Sequence, residues 1–316
     1  MKKININKDK LSGHAIALFT ITVWGSTYVV SKHMLSFFTP PQMMVMRFIL
    51  AYAALWAIRP KWSRPVWRDE LGCFLMGLFG CTAYFLAENF ALTFTLASNV
   101  SILVASAPIF TAVLAHFFTK DEKLRLNTVW GSLIAITGVA LVVFNGTVML
   151  KLNPVGDVLS VCAAACWAIY AVILKRYVDR YDSIVLSRKV VFYGLITTLP
   201  AALIENRPLR MEAFGTAGSW LCILFLGILA SGVCYATWNV ATKKLGVVAT
   251  NNYVYVGPFV TLVMARIFLN EKISWMAVIG AVLIVGGVVV CGITKKRLAA
   301  PVGKDENAES INERLK

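Results

Sequence analysis

The sequence predicts an all-α membrane protein with ten transmembrane helices, built as two inverted five-helix repeats. Three observations lead to this prediction: the composition, a duplicated stretch and the distribution of positive charge. Of the 316 residues, 58% are hydrophobic and 15% are charged, and the mean hydropathy is +0.70. A soluble domain cannot bury so much apolar surface. The composition therefore indicates a chain that lies in a lipid bilayer.

Apolar runs of bilayer-spanning length recur along the chain, separated by charges and prolines. A helix needs about 20 residues to cross the hydrocarbon core. The predicted helices are 14–35, 40–58, 71–92, 97–118, 125–145, 155–175, 184–204, 217–239, 247–269 and 273–294. The first run lacks the small-residue cleavage site of a signal peptide, so residues 1–13 are predicted to remain as a cytoplasmic segment. The polar residues 295–316 are predicted to form a disordered cytoplasmic tail.

The second half of the chain repeats the first. With Pro108 aligned to Pro258 and one residue deleted opposite Asp121, a glutamate pair and two glycine pairs come into register. These pairs are Glu122/Glu271, Gly131/Gly280 and Gly138/Gly287. The predicted repeats are therefore 14–145 and 155–294. Each repeat holds five helices, an odd number, so the two repeats must enter the membrane in opposite directions.

The positive charges give the orientation. Placing both termini in the cytoplasm puts most of the 31 Lys and Arg on that side, as the positive-inside rule requires. We therefore expect a multi-pass protein of the cytoplasmic membrane with both termini in the cytoplasm. The same bias, together with contacts to anionic lipid, accounts for the net charge of +15. The charge is thus no evidence for a nucleic-acid partner.

Two prolines, Pro108 and Pro258, fall in the middle of apolar helices at equivalent positions. A proline removes one backbone hydrogen bond and clashes with the carbonyl four residues earlier, which leaves the carbonyls of Val104 and Val254 without their usual partners. Within a membrane such breaks are tolerated where protein or a watery cavity meets the freed carbonyl. Paired breaks in an inverted repeat point to a central substrate site. A kink that serves packing alone is the alternative.

Two charged residues, Arg47 and Glu88, fall inside predicted spans of the first half. An ionisable residue at this depth must face protein or water. One interpretation of Arg47 is structural: its guanidinium binds backbone carbonyls or reaches the membrane interface. The other is that Arg47 lies on the permeation path. For Glu88, the two interpretations are a solvated position near the outer end of the helix and a proton-coupling group, since a carboxyl removed from water favours its neutral form.

Aromatic and amide side chains recur at matching places in the two halves. Trp24 matches Trp167, and Asn89 matches Asn239. Indole and phenol rings offer stacking, cation-π attraction and one hydrogen bond each, which suits a path that must release what it binds. The candidates for the lining on these grounds are Trp24, Tyr28, Asn89, Trp167, Tyr170, Trp238, Asn239 and Tyr253. For each aromatic, helix packing or a place in the interfacial belt is the alternative.

Several segments together resemble the drug/metabolite transporter superfamily, specifically its EamA-type ten-helix members. They are WGSTYVVSK in the first helix, TPPQMMVMRFILA at the start of the second, and the layout from Ala91 to Gly138. The resemblance covers residues 14–294. It implies export of amino acids or other small metabolites through a central cavity lined by helices 1, 3, 4, 6, 8 and 9, with alternating access between the halves.

The resemblance also implies positions for substrate contacts. It places Trp24 and Tyr28 on the first-helix motif, Asn99 and Ser101 at the start of the fourth helix, and Trp167 and Tyr170 on the sixth. Glu88 departs from the family, because an aromatic or neutral residue is expected near that point of the third helix. This departure either marks a cationic substrate or has no functional meaning.

The predicted function is a secondary-active transporter that exports amino acids or related small neutral or zwitterionic metabolites. Arg47 and Arg266 are the only arginines well inside predicted spans, which disfavours phosphorylated or nucleotide-linked sugars. These sugars and drugs remain alternatives within the superfamily. We expect a small-molecule substrate and the lipid bilayer as partners, no cofactor, and a monomer or homodimer.

The competing classes are an intramembrane enzyme and a non-transporting receptor or assembly protein. The three histidines form no HExxH motif, the seven cysteines show no CxxC spacing, and there is no Walker loop. The sequence therefore predicts neither an enzyme nor a metal site. Two helices broken at symmetric depths argue against a receptor, because an inert anchor has no use for them.

Overall fold

The structure is a computed structural model that describes residues 2–61, 65–95, 97–119, 125–144, 153–269 and 275–292. Over these ranges the protein is a bundle of helices without β-strands. The first half contains α1 (Lys2–Met34), α2 (Pro40–Ile58), α3 (Trp67–Gly77), α4 (Tyr84–Phe94), α5 (Ala97–Val104), α6 (Ala107–Phe118) and α7 (Leu126–Phe144). The second half contains α8 (Pro154–Tyr177), α9 (Ser183–Glu205), α10 (Ala217–Leu224), α11 (Cys234–Leu245), α12 (Val247–Asn251), α13 (Gly257–Leu269) and α14 (Trp275–Gly292).

Eight helical stretches of the described residues are long and apolar enough to cross a membrane. They are Lys8–Met34, Pro40–Ile58, Trp67–Phe94, Val100–Phe118, Pro154–Tyr177, Ser183–Glu205, Ala217–Leu245 and Val247–Met264. Two further apolar helices, Leu126–Leu141 and Val278–Cys291, are shorter. All ten segments predicted from the sequence overlap helices, so the all-α prediction is confirmed. Ten membrane spans in two inverted repeats stay a prediction, and the predicted tail lies outside the described residues.

Several helices begin where the local sequence supplies a cap. Thr39 and Gln42 form a capping box at the start of α2, where Pro40 and Pro41 occupy positions that need no amide donor. The side chain of Asn153 accepts hydrogen bonds from the first amides of α8, and Asp182 does the same for α9. These caps fix where the connecting loops end and therefore where the long helices enter the bundle.

Two of the long stretches contain a π-helical segment that the sequence analysis did not predict. One, Leu78–Ala83, joins α3 to α4, and the other, Phe225–Val233, joins α10 to α11. The alignment of Pro108 with Pro258 places these two segments at matching positions. A π-helical turn misaligns the backbone hydrogen bonds, and such turns are frequent at functional sites. Both segments lie beside the cavity described below.

The helices α7 and α14 pack closely through the repeated glycines. A Cβ atom on Gly138 would lie 2.5 Å from the carbonyl oxygen of Gly280, and one on Gly287 would lie 2.6 Å from the backbone nitrogen of Ala135. Both distances are shorter than any stable carbon contact, so the two backbones touch only because these positions lack side chains. The prediction that the glycines allow close helix approach is confirmed.

We expect Gly287→Ala to destabilise the protein by about 1–3 kcal/mol, because the new methyl group overpacks a backbone contact. Gly286→Ala is the matched control: the neighbouring glycine lies in the same helix, and a Cβ atom there meets nothing within 4 Å. The melting temperature of each purified variant is measured by thermal unfolding in detergent. Equal melting temperatures for the two variants would contradict the packing of α7 against α14.

Candidate functional site

A cavity of about 40 Å³ lies at the centre of the bundle, with room for a few water molecules. Its lining is Ile21, Trp24, Gly25, Thr27, Tyr28, Arg47, Tyr84, Phe85, Glu88, Ser101, Val104, Trp167, Tyr235, Val254, Gly257 and Pro258. These residues come from the predicted helices 1, 3, 4, 6, 8 and 9, which the family resemblance implies, and from helix 2 through Arg47. Both halves of the chain therefore contribute to one cavity.

The two broken helices meet at this cavity. The helix α5 ends at Val104, and α6 begins at Ala107 with Pro108 in its second position. In the second half a 3-10 helix, Asn252–Val256, precedes α13, whose second residue is Pro258. Val104 and Val254, the residues whose carbonyls the prolines are predicted to free, both line the cavity. The breaks thus lie where non-helical backbone can be satisfied within a membrane.

Arg47 and Glu88 are the two charged residues among those that line the cavity. They are 2% and 5% exposed, so neither reaches bulk solvent. The Arg47 Nε atom donates a hydrogen bond to Ser231 Oγ over 2.9 Å, and its guanidinium lies 4.2 Å from the centre of the Phe85 ring. The Glu88 carboxyl lies beside the hydroxyls of Tyr28 and Tyr84 and interacts electrostatically with Arg47. The cavity thus contains one acidic and one basic group.

Aromatic rings from three helices form one wall of the cavity. The ring of Trp24 contacts Trp167, Trp238 and Tyr235, with centroid distances of 5.1, 5.0 and 5.7 Å. Trp167 donates its indole N–H to Asn251 Oδ1 over 2.8 Å. Since Trp24 lies in the first half and the other rings in the second, this wall joins the two halves.

Side chains of the aromatic wall also donate hydrogen bonds to backbone carbonyls of the π-helical segments. The Trp24 indole N–H donates to the carbonyl of Ala230 over 2.9 Å, and the Tyr235 hydroxyl donates to the carbonyl of Gly80 over 2.5 Å. Gly80 and Ala230 occupy equivalent positions in the two π-helical segments. Each donor lies in the half opposite to its acceptor, so these two bonds link the halves at the level of the cavity.

The structure divides the residues predicted from the sequence into two groups. Trp24, Tyr28, Arg47, Glu88, Ser101, Trp167 and Pro258 line the cavity, whereas Asn89, Pro108, Tyr170, Trp238, Asn239 and Tyr253 lie outside its lining. The side chain of Asn99 lies outside the described residues. Trp238 is fully buried behind Trp24, and the Tyr253 hydroxyl is hydrogen-bonded to His14 Nδ1 over 2.7 Å. Trp238 and Tyr253 thus make contacts between helices.

The lining also includes residues that the sequence analysis did not select. Tyr84 and Phe85 precede Glu88 by four and three positions, so they share its helix face. That spacing was a usable signal. Thr27 directly precedes Tyr28, and Tyr235 lies three residues before Trp238. No feature of the local sequence distinguishes them from the aromatic and hydroxyl residues that pack within the same helices.

Ion pairs join the two halves at the end of the bundle where α2 ends and α3 and α9 begin. We call the central group the polar latch, formed by Asp69, Glu70, Tyr181, Lys189 and Tyr193. Lys189 is ion-paired with Glu70, and the Tyr193 hydroxyl donates to the same carboxylate over 2.7 Å. The Tyr181 hydroxyl donates to Asp69 over 2.8 Å. Burial and the Asp69 carboxylate raise the pKa of the Tyr181 phenol, which keeps it a neutral donor.

Further contacts surround the latch. Arg59 and Arg180 lie 3.5 Å from Asp182 and Asp69, respectively. At the opposite end of the bundle the described contacts between halves include hydrogen bonds from side chains to carbonyls. There the Gln42 amide donates to Arg207 and the Arg210 guanidinium to Ser36, over 2.7 and 3.5 Å. Among the described contacts, charge pairs between the halves are therefore found at the first end.

The matched asparagines have different surroundings. Asn239 is fully buried and bonded through both amide atoms, to the Tyr170 hydroxyl over 3.4 Å and to Ser187 Oγ over 2.9 Å. Asn89 is 1% exposed, and neither of its amide atoms has a hydrogen-bond partner among the described residues. The sequence match between Asn89 and Asn239 therefore does not predict this difference in hydrogen bonding.

We expect Asn239→Leu to cost about 1–3 kcal/mol of stability, because it strips hydrogen bonds from buried groups on α8 and α9. Asn89→Leu is its counterpart in the other half, and it removes an unpaired buried amide. It should therefore be neutral or stabilising. Thermal unfolding in detergent compares the two variants, and an equal loss of stability in both would contradict the assigned surroundings.

Comparisons with known proteins agree with this architecture. A model of the EamA-like transporter family matches residues 11–144 and 154–293. An uncharacterized transporter of Archaeoglobus fulgidus is 27% identical over 87% of this chain and 95% of its own length. The uncharacterized transporter YyaM of Bacillus subtilis is 26% identical over 91% of this chain and 93% of its own. A Streptantibioticus cattleyicolor protein named "Probable terminal-alkyne amino-acid exporter" is 26% identical over 93% and 99%.

A chain of known structure, described as "Crystal structure of protein", superposes with a TM-score of 0.71 and covers 89% of this chain and 98% of its own length. It is 22% identical in sequence and so supports the fold alone. The family match, by contrast, covers nearly the whole chain in two successive segments. The resemblance seen in the sequence is thereby confirmed: this multi-pass membrane protein belongs to the EamA-like transporter family within the drug/metabolite transporter superfamily.

Proposed function

We propose that this protein is a secondary-active exporter of amino acids or related small neutral or zwitterionic metabolites. The observation that carries the proposal is the central cavity, where one carboxylate and one guanidinium face a common space between aromatic walls. Such a site offers a few convergent polar groups in an otherwise apolar path, which permits both binding and release. Glu88 stays the predicted proton-coupling group.

The proposed mechanism is alternating access between two inverted five-helix repeats, 14–145 and 155–294. The family model matches twice, once in each proposed repeat. The π-helical segments and the proline-linked helix breaks also occur at matching positions. The ten predicted spans, oriented by the positive-inside bias with both termini in the cytoplasm, complete the proposal.

Two findings support the proposed cargo. Arg47 and Glu88 have opposite charges, so the lining is neutral overall, and a phosphorylated sugar with two negative charges would find one guanidinium opposed by a carboxylate. The Streptantibioticus cattleyicolor relative is named for amino-acid export. Phosphorylated or nucleotide-linked sugars and drugs are therefore less suited to this cavity than zwitterions are.

The polar latch supplies the closed side that alternating access requires. Glu70 lies on α3 in the first repeat, and Lys189 and Tyr193 lie on α9 in the second. Tilting one repeat against the other to open this end must separate these groups. In the proposed topology this end faces the cytoplasm, so the latch closes the side from which an exporter loads its substrate.

The transport proposal is tested by efflux of a panel of labelled amino acids from proteoliposomes, with and without a pH gradient. We expect Trp24→Ala to slow efflux by about tenfold or more, because it removes a ring and a hydrogen bond from the cavity wall. Trp130→Ala is the matched control, since Trp130 is 61% exposed on the outer surface of α7. Membrane yield of both variants is measured alongside. Absence of efflux for the whole panel, or equal efflux in both variants, would count against the proposal.

The latch is tested with Glu70→Gln, which removes the ion pair with Lys189 and preserves the shape of the side chain. We expect the latched end to open more often, so that alkylation of the buried Cys73, one helical turn away, rises by about tenfold. Mass spectrometry follows the alkylation, and the Cys73 rate of the wild-type protein is the reference. Glu205→Gln is the control, because Glu205 pairs with Arg207 inside one half. An unchanged Cys73 rate in Glu70→Gln would show that the latch does not hold this end closed.

A further inference from the structure

The two charges in the cavity are close enough to interact but do not form a direct ion pair. Arg47 projects from α2 and Glu88 from α4, and they influence each other electrostatically. No nitrogen of Arg47 lies within the 4.0 Å ion-pair distance of a Glu88 oxygen in the described structure. Burying charges without full pairing is costly. A ligand that placed an opposite charge at each group would remove that cost.

Arg47 is held in a fixed orientation with donors to spare. Its Nε atom is engaged by Ser231 in the second π-helical segment, and one face of the guanidinium lies over the Phe85 ring. Among the described residues, its terminal nitrogens have no hydrogen-bond partner. A guanidinium fixed in this way presents its remaining N–H groups to the cavity. Two parallel N–H donors match the geometry of a carboxylate.

Glu88 provides a complementary site. Its carboxyl lies beside the hydroxyls of Tyr28 and Tyr84, which also line the cavity. Trp24 and Trp167 border the same space. A carboxylate, hydroxyl oxygens and aromatic faces are together the groups that recognise an ammonium ion. The surrounding wall is apolar and aromatic, which suits an uncharged apolar body attached to the charged groups.

We propose that Arg47 and Glu88 bind the two opposite charges of a zwitterionic substrate: Arg47 takes its carboxylate, and Glu88, with Tyr28 and Tyr84, takes its ammonium group. This assignment rests on the proposed function and specifies which residue recognises which end of the cargo. A substrate with both charges satisfies both residues. A substrate with one charge leaves the other residue buried and unpaired, and so binds more weakly.

Three probes that share one carbon skeleton test the assignment: leucine, 3-methylbutylamine, which lacks the carboxylate, and 4-methylpentanoate, which lacks the ammonium group. The Kd of each for the purified full-length protein is obtained from the ligand-dependent rise in melting temperature. We expect the wild-type protein to bind leucine at least about tenfold more tightly than either single-charge probe, since each lost contact is a charge-assisted hydrogen bond.

Variants assign the two ends separately. Glu88→Gln should weaken the binding of leucine by about tenfold without weakening that of 4-methylpentanoate. Arg47→Gln should weaken the binding of leucine without weakening that of 3-methylbutylamine. Arg47→Gln also loses the hydrogen bond with Ser231, so Arg47→Lys serves as a second variant that keeps the positive charge. It should retain part of the preference for leucine over 3-methylbutylamine. Glu205→Gln is the matched control, because Glu205 pairs with Arg207 within one half and lies outside the cavity, and it should leave both preferences at the wild-type ratio.

Exchange of labelled leucine across proteoliposomes at equal pH, a flux that needs no proton gradient, separates the two proposals. Leucine exchange could be observed while the probe preferences do not depend on Arg47 or Glu88. That outcome would overturn the charge assignment and leave the transporter proposal standing. Binding with the expected preferences but no exchange would support the assignment and contradict the proposed function. Leucine that neither binds nor exchanges would contradict both.

Discussion

The constraint on which the structure depends is that backbone polar groups inside a membrane must find partners within the protein. Within the described ranges, long helices are interrupted in four places, and each interruption either lines the central cavity or is hydrogen-bonded by a residue that does. Where the backbone departs from α-helix, side chains compensate: the Trp24 indole and the Tyr235 hydroxyl bind carbonyls of the two π-helical segments. The irregular backbone is thus concentrated where cavity and side chains satisfy it.

This arrangement has a mechanical consequence. The donors that satisfy the π-helical segments come from the opposite half, so the same bonds that make the irregular backbone tolerable also connect the two proposed repeats. Around the cavity the connections are single hydrogen bonds and ring contacts, whereas at one end of the bundle they are ion pairs. Opening the latched end would break ion pairs, whereas the accompanying rearrangement of the cavity walls would break only hydrogen bonds and ring contacts.

Much of the fold could be predicted from the sequence, because apolar periodicity, prolines and glycines act locally. The two breaks at Pro108 and Pro258 and the glycine contact of α7 with α14 are examples. The π-helical segments could not be predicted, since their residues also suit an α-helix and only tertiary contacts stabilise the extra residue. Of the predicted site residues, Trp24, Tyr28, Arg47 and Glu88 line the cavity. Trp238 was also predicted but packs outside the lining, because an aromatic behind a cavity wall carries the same local pattern as one in the wall.

The proposed repeats bring different side chains to the cavity. In the alignment that matches Asn89 with Asn239, Glu88 falls on Trp238 and Phe85 on Tyr235. The acidic group, the basic group and the tyrosines beside the carboxyl thus all come from the first repeat. The second supplies Trp167 and Tyr235 and the serine that anchors Arg47. Alternating access requires two halves that move equivalently about the cavity; it does not require that they recognise the substrate equivalently. Once one half carries both charges, the other is free to provide the apolar wall, and this division matches the charged end and the apolar end of the proposed zwitterionic substrate.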